Sequence, residues 1–465
     1  MTATAPPQAT SPAGGAPSSG RAAAGGGATP PRSTEAPVAI ATRPSAVTSL
    51  RAAIREGLQG TPGRLRLLGA LSILTCGLFG LVGFFAVSAR AGALASARSD
   101  AAQLVRVQTI RTSLVSADAN LTNAFLVGGL EPSTQRAAYT KGIDTASRTL
   151  AEASGKNASD ARPLQAVNGV IATYTGQVEA SRANNRQGFP IGAAYLRQAS
   201  LLLRDKALPP LEQLVRTQEG RVEDSYAASR SAGVVATAAL VVCLVVLLVT
   251  LGWLALRTRR WINVPVAVAA AIVAVVGVAM VATMALSQHR ADSARTGPYR
   301  ATVALATARI DAFDAKSAES LTLIARGSGQ AFEDRFQVLT ANARTIVEGL
   351  ARDAHSSGNE QGTRTFLLDF LYIHSRIVKA DRDGDHAKAV ALATATTRDA
   401  NSNTFFGNFD INSGRALATR SAQLRNDLGS ARGPLGVLSW LVLLAGLVAA
   451  GAAWRGVNLR LREYR

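Results

Sequence analysis

The sequence has few of the residues that build disulfides or metal centres. Among 465 residues it contains 2 cysteines and 4 histidines. Both cysteines, Cys76 and Cys243, lie inside apolar runs, so the polar segments have no disulfide and must be held together by packing. No two histidines have the i, i+4 spacing of a zinc-binding helix, and no pattern predicts a cofactor. The histidines are His289, His355, His374 and His386.

Charge is absent from four long apolar runs. They cover residues 67–89, 232–256, 264–286 and 435–454, and none contains Asp, Glu, Lys, Arg or His. Each is long enough for a helix to cross a bilayer, which takes about 20 apolar residues. Transporters and channels place polar or charged groups within their spans, so these runs argue against both classes. The sequence predicts a membrane protein with four transmembrane helices.

The motifs of common enzymes and nucleic-acid-binding proteins are also absent. There is no phosphate-binding loop, no Gly-x-Ser-x-Gly elbow and no kinase signature. The formal net charge of +19 is spread along the chain without a basic stripe interleaved with aromatics. Asp381, Asp383 and Asp385 are spaced like calcium ligands, but Gly384 comes too early and Leu392 stands where a bidentate Glu is expected. We expect neither an enzyme nor a calcium-binding protein.

Arginines flank the apolar runs on one side of the predicted membrane. Short Arg-rich loops stay in the cytoplasm, whereas long segments are exported whatever their charge. We therefore expect a multi-pass plasma-membrane protein with both termini in the cytoplasm and two extracytoplasmic modules. The arginines have two interpretations, as topology signals that meet lipid headgroups or as a docking surface for a cytosolic partner. The docking candidates are Arg257, Arg259, Arg260, Arg455, Arg460 and Arg462.

These features divide the chain into a tail, four spans, two bundles and two short cytoplasmic segments. Residues 1–65 are rich in Ala, Pro, Gly and Ser, and a segment of this composition is predicted to be disordered. The remaining predicted segments are spans at 66–89, 232–256, 264–286 and 434–454, bundles at 90–231 and 287–433, a cytoplasmic loop at 257–263 and a cytoplasmic tail at 455–465.

Both long polar segments have the pattern of helices. In the first, Ile110, Leu114, Ala117, Leu121 and Ala124 recur at spacings of four and three, which places them on one face of a helix. The second segment repeats the plan about 200 residues later, with a Gly break, further helices and a last helix leading to a span. We predict an all-α integral membrane protein in which a tandem duplication gives two four-helix bundles.

A polar turn is predicted before the last helix of each bundle, at residues 182–188 and 379–385. A solvated turn is the simplest interpretation. The functional interpretation is contact with a ligand or a binding protein outside the membrane. The candidate contacts are Arg182, Asn184, Asn185, Arg186, Asp381 and Asp383.

The order of span, helices and span resembles the four-helix-bundle sensor modules of bacterial chemoreceptors and sensor kinases, over residues 66–257 and again 264–455. The Asn/Gly/Asp turns at 182–188 and 379–385 are part of that resemblance. The chemoreceptor pattern is not complete, because no HAMP linker, methylation domain or kinase domain is present. A doubled bundle with four spans, an Ala/Pro-rich N-terminal segment and no output domain is similar to the GlnX-type membrane proteins of actinobacteria.

The resemblance implies a signalling role. In the GlnX-type family, the membrane protein links an extracytoplasmic glutamine-binding lipoprotein to a soluble serine/threonine kinase of the protein kinase G type. The chain is thus expected to relay an amino-acid cue from a solute-binding lipoprotein to a cytosolic Ser/Thr protein kinase, and chemoreceptor-like bundles are often homodimers. Two alternatives stay open: a scaffold protein of the cell envelope or division machinery, and a sensor that binds a small ligand directly in a bundle groove.

Overall fold

The computed structural model describes residues 61–127, 131–187, 189–258, 263–395 and 400–462. These residues form helices joined by short turns, and no strand occurs among them. The predicted all-α fold class is confirmed. Residues 1–60 of the predicted tail lie outside the described part of the chain.

The described helices fall into two successive sets. In the first half they are α1 (Thr61–Val127), α2 (Ser133–Ser154), α3 (Ala158–Arg186), α4 (Ile191–Leu202) and α5 (Leu208–Thr258). In the second half they are α6 (Val264–Ala294), α7 (Arg300–Ile324), α8 (Gln330–Arg352), α9 (Gly358–Arg382), α10 (His386–Thr394), α11 (Ser402–Arg432) and α12 (Leu435–Arg462).

Four long helices are apolar enough to cross a membrane, in agreement with the four predicted spans. They cover Gly63–Val127, Ile191–Leu256, Val264–Ile324 and Ser402–Leu459. Each forms a long rod that combines one apolar span with one helix of a bundle. The fourth rod is interrupted at Gly433 and Pro434, between α11 and α12.

Two π-helical turns place prolines inside these rods. Leu203–Ala207 joins α4 to α5 just before Pro209 and Pro210, and Arg295–Tyr299, which contains Pro298, joins α6 to α7. Proline has no N–H to donate, and its ring clashes with the carbonyl four residues earlier in a regular α-helix. The extra residue of a π turn accommodates that defect, so both rods continue past their prolines.

The four spans pack on one another through small and polar side chains. Ser72 Oγ and Thr250 Oγ1 are 3.0 Å apart, and the Sγ atoms of Cys76 and Cys243 are 4.0 Å apart. Gly446 lies so close to Gly80 that a Cβ atom added to it would collide with the glycine backbone opposite. Glycine therefore sets the separation of the first and fourth spans.

The two bundles lie side by side, because α1 of the first packs against α7 of the second. Small side chains let these helices approach: Ala119 and Val115 of α1 share one apolar cluster with Ala308 and Ala315 of α7. The bundle interiors also bury apolar residues from the other helices, including Tyr174 in the first bundle and Phe370 in the second.

The ends of three helices differ from the sequence-based expectation. Helix α3 runs through Arg186, so residues 182–186 of the predicted turn form its last turn. Helix α9 runs through Arg382, and the turn after it needs Gly384, which has φ of +86°. The last helix of the second bundle is divided, because Asp385 caps α10 and Asn401 caps α11 with their side chains.

Candidate functional site

Each bundle holds a carboxylate deep inside it. In the first bundle this is Asp118 on α1, which is 1 % exposed. Its Oδ1 accepts hydrogen bonds from the Ser200 hydroxyl of α4 at 2.7 Å and from the Tyr174 hydroxyl of α3 at 3.3 Å. A buried carboxylate is stable only when hydrogen bonds and opposite charge replace its lost water, and these contacts supply part of that replacement.

The second bundle has the corresponding arrangement around Glu319 on α7, which is also 1 % exposed. Its Oε1 accepts from the Ser402 hydroxyl at 2.7 Å, and its Oε2 lies 2.9 Å from His374 Nδ1 on α9. Lys316 donates to Oε1 at 2.7 Å and to the Ser402 hydroxyl at 2.6 Å. Phe336 stacks on the His374 ring at 3.4 Å between centroids.

We name these sets the Asp118 triad, comprising Asp118, Tyr174 and Ser200, and the Glu319 triad, comprising Glu319, His374 and Ser402. Each joins an acid on the first helix of the bundle, a ring on the third and a serine on a later helix, which is α4 for Ser200 and α11 for Ser402. Every member of the second set lies about 200 positions after its counterpart, which is the spacing of the two halves.

The charges of the Glu319 triad support one another. Burial alone raises the pKa of Glu319, but Lys316 and His374 outweigh it and lower that pKa to about 2. Burial alone lowers the pKa of His374, but its hydrogen bonds to Glu319 and Glu333 outweigh burial and raise it. Burial prevails at Lys316, whose pKa is lowered despite the Glu319 partner. Lys316 and His374 therefore favour the ionised form of Glu319.

The Asp118 triad is tied directly to the second bundle. Asp118 Oδ2 accepts from Ser317 of α7 at 2.7 Å and from Arg204 at 3.2 Å. Arg204 also donates to Asp314 of α7 at 2.7 Å, and Asp314 accepts from Arg335 of α8 at 2.5 Å. Arg204 and Arg335 outweigh burial and lower the pKa of Asp314. Buried ion pairs thus bridge the bundles and fix their relative position.

The candidates predicted in the first bundle gather around a small cavity at the end of the bundle remote from the spans. Arg182, Asn185 and Arg186 line this cavity of about 120 Å³. Arg182 pairs with Glu131 at 2.9 Å and lies 4.5 Å from the centre of the Tyr139 ring. Asn184 does not line the cavity, since its amide donates to the Ala180 carbonyl at 2.8 Å.

The candidates predicted in the second bundle lie beside two openings between its helices. Asp381 lines a cavity of about 150 Å³ with Glu319 and His374, and it accepts from His386 at 2.7 Å. Asp383 pairs with Lys379 at 2.9 Å at the edge of a larger groove between α8 and α9. The structure therefore brings Asp381 near the Glu319 triad, which the sequence does not single out.

Of the arginines predicted as docking candidates, Arg455 is exposed on α12. Arg257 lies on α5, and Arg460 and Arg462 lie on α12, but their side chains are outside the description. Arg259 and Arg260 lie outside the described residues altogether. Among the described residues no group of His, Cys, Asp and Glu is arranged to hold a metal ion.

The comparisons with known proteins agree with a sensing role. Residues 93–227 match the family model described as the actinobacterial sensor domain. A search of curated proteins and a search of solved structures each found no match. The matched residues run through the first bundle from α1 to α5, so the first bundle is similar to actinobacterial sensor domains. The GlnX-type identity, the lipoprotein and the kinase stay predictions.

Proposed function

We propose that the protein is a transmembrane signal-transducing sensor that relays an extracytoplasmic amino-acid cue to a separate cytosolic Ser/Thr protein kinase. One observation carries the proposal: the bundle that matches the sensor domain is joined to the second bundle by buried ion pairs, and each bundle shares its first and last helices with membrane spans. The protein therefore has an input module and a mechanical route from it.

The topology of the proposal follows from charge. The bundles at 90–231 and 287–433 lie outside the plasma membrane, and the arginine-flanked ends of the spans lie in the cytoplasm. The exposed Arg455 and the neighbouring arginines then face the cytosol, where they offer cationic groups to an acidic patch on a kinase. Arg182, Asn185 and Arg186 line the small cavity at the end of the first bundle that is remote from the spans. In this topology, that end of the bundle faces a solute-binding lipoprotein.

The buried ion pairs supply two discrete packings for the relay. The Arg204 guanidinium is shared between Asp118 of one bundle and Asp314 of the other, so a small shift of α1 against α7 changes which carboxylate it favours. Packed interfaces of this kind switch between arrangements rather than deform continuously. Because α1 continues into the first span, the shift reaches the cytoplasmic side.

The proposal is tested by affinity purification of the tagged full chain from its native membrane after crosslinking, with mass spectrometry of the captured proteins. We expect a solute-binding lipoprotein and a Ser/Thr protein kinase. Replacing Arg455 by Glu should reduce capture of the kinase and leave the lipoprotein, whereas replacing Arg182 by Glu should do the reverse. Capture of cell-wall or division proteins alone would contradict the relay and favour the scaffold function.

A further inference from the structure

A cleft between the two bundles has the features of a small-molecule site. It has a volume of about 530 Å³ and is lined by α1 and α2 of the first bundle and by α7 and α11 of the second. Its walls combine hydroxyl and amide side chains with small apolar residues, the Phe313 and Phe406 rings, and the charged groups of Lys141, Arg309, Lys316 and Asp410. A molecule held there would contact both bundles at once.

One side of the cleft includes a side chain whose acceptor atom is buried and unsatisfied. Gln135 of α2 is 8 % exposed, and its Oε1 has no hydrogen-bond partner among the described residues. Its Nε2 donates to Asn123 Oδ1, which also accepts from Asn403 at 3.1 Å, while Asn123 Nδ2 donates to the Ala393 carbonyl at 3.3 Å. These three bonds fix the orientation of both amides.

A buried acceptor without a partner costs free energy, so its retention calls for a donor that the chain itself does not supply. Because the Gln135 amide cannot be reversed without opposing two oxygens, the missing partner must donate an N–H or O–H to Oε1.

One of the three cationic side chains that line the cleft has no ion-pair partner among the described residues. Arg309 is paired with Asp410 at 2.6 Å, and Lys316 is paired with Glu319 at 2.7 Å. Lys141 is exposed at the cleft and makes no ion pair with the described residues. An occupant therefore meets a net positive charge beside an unsatisfied hydrogen-bond acceptor.

We propose that this inter-bundle cleft directly binds a small carboxylate that also carries an N–H or O–H donor, the class of free amino acids and hydroxy acids. The carboxylate faces Lys141, and the donor group satisfies Gln135 Oε1. The proposal deepens the proposed sensing function and rests on it, because it gives the sensor a ligand site of its own that needs no binding protein.

A chain of hydrogen bonds connects the proposed site to the buried charges of the second bundle. The Ala393 carbonyl that accepts from Asn123 also accepts from Lys316 Nζ at 3.3 Å. Lys316 in turn holds Glu319 and Ser402. A chain of four hydrogen bonds thus connects Gln135, through Asn123, the Ala393 carbonyl and Lys316, to Glu319.

The test is the thermal melting of the purified full chain in lipid nanodiscs with each standard L-amino acid, L-lactate and L-malate in turn. Propionate serves as a carboxylate without a donor. We expect at least one amino or hydroxy acid to raise the Tm of the wild type by about 2 °C or more, and propionate to raise it less.

Two variants and a control locate the site. Gln135→Met keeps the side-chain length and removes the acceptor, so the apparent affinity should fall about tenfold. Gly407→Leu fills the cleft from α11, where an added Cβ meets nothing within 4 Å, so the Tm shift should vanish. Gly349→Leu makes the same change on α8 at a position that is also open but away from the cleft, and it should respond like the wild type.

A wild type that responds to none of the compounds would overturn the proposal, and so would a response that survives in Gly407→Leu or an apparent affinity that is unchanged in folded Gln135→Met. Loss of the response in Gly407→Leu and a weaker affinity in Gln135→Met, with Gly349→Leu intact, would support it. Failure here leaves the proposed relay untouched, because capture of lipoprotein and kinase is measured without added ligand.

Discussion

The two bundles share a plan but differ in the chemistry of their interiors. Both bury an acid, a ring and a serine at corresponding positions. In the first bundle, Asp118 accepts a hydrogen bond from a tyrosine and forms an ion pair with Arg204, at the interface with the second bundle. The second pairs Glu319 with a histidine and keeps Lys316 beside it in its own interior. The Asp118 triad thus links the two bundles, whereas the Glu319 triad has its charged partners within the second bundle.

This difference separates the roles of the bundles. Residues 93–227, which match the sensor-domain family, contain the half whose acid reaches across the interface. The second half contains the titratable ring. If the shared arrangement of an acid, a ring and a serine determines stability, matched substitutions in the two triads will change the stability equally. If the different charges around each triad determine it, the losses of stability will differ between the two bundles.

The largest expected effect comes from removing the acid of each triad. Glu319→Gln leaves Lys316 buried without its carboxylate, and breaking a buried pair in this way costs about 3–5 kcal/mol. Asp118→Asn leaves Arg204 paired with Asp314, so we expect a loss of about 2 kcal/mol. The stability losses of the two variants are compared by thermal melting of the full chain in detergent, with circular dichroism as the signal.

Equal losses in Glu319→Gln and Asp118→Asn would mean that the charges around the triads do not distinguish the bundles. A double variant that also replaces Lys316 by Met serves as the control for the second bundle. Removing both charges should recover much of the stability lost in Glu319→Gln, because no buried cation is then left unpaired.

The next expected effect is a pH dependence confined to the second bundle. The folded-state pKa of His374 is raised above its unfolded value of about 6.5, so its stabilising contribution is complete below about pH 6.5. That contribution is lost as pH rises through the folded-state pKa. Burial raises the pKa of Asp311 to about 6, so this group is ionised throughout a scan at higher pH.

A melting series from about pH 7 to about pH 9 reports this effect. We expect the Tm of the wild type to fall as pH rises, and the slope to flatten in His374→Gln. Burial raises the pKa of Tyr174 well above its usual value, so Tyr174→Phe should keep the wild-type slope. A slope unchanged in His374→Gln would assign the pH dependence to other groups.

The smallest expected effect is that of the tyrosine hydroxyl. Tyr174→Phe removes a hydrogen bond of 3.3 Å from Asp118, which keeps Ser200, Ser317 and Arg204 as partners. We expect a loss of about 0.5–1 kcal/mol. His374→Phe, the matched change, removes bonds to two carboxylates and should cost several times more. Comparable losses would show that the ring, not its polar atoms, stabilises each triad.

The helices and spans were predictable because long apolar runs and heptad spacing record burial directly in the sequence. The triads were not, since apolar periodicity gives no weight to an acid such as Asp118 that points inward. The internal repeat did not reveal them either. At the fixed offset of about 200 residues, Glu319 aligns with Ala119, which is one residue away from its structural counterpart Asp118. A search for charged residues on the apolar face of α1 and α7 would have found both acids.

The candidate contacts at 182–186 and 381–383 were predicted from turn composition alone. Composition locates the end of a helix within a few residues, which is why α3 and α9 extend into both predicted turns. The inter-bundle cleft could not be predicted, because it is formed by four helices that are distant in sequence. Gln135 shows its unsatisfied atom only once Asn123 and Asn403 are in place.

The two native cysteines allow the most direct test of the central claim, that the charges between the bundles control the packing of the spans. Cys76 and Cys243 face each other in the first and second spans, with Sγ atoms 4.0 Å apart. The measurement is the rate of disulfide formation between them in native membranes under a membrane-permeable oxidant, in the wild type, in Asp118→Asn and in the exposed control Gly349→Leu. We expect the rate in Asp118→Asn to differ from that of the wild type, while the control matches it. Equal rates in all three proteins would show that the bundles and the spans are not coupled.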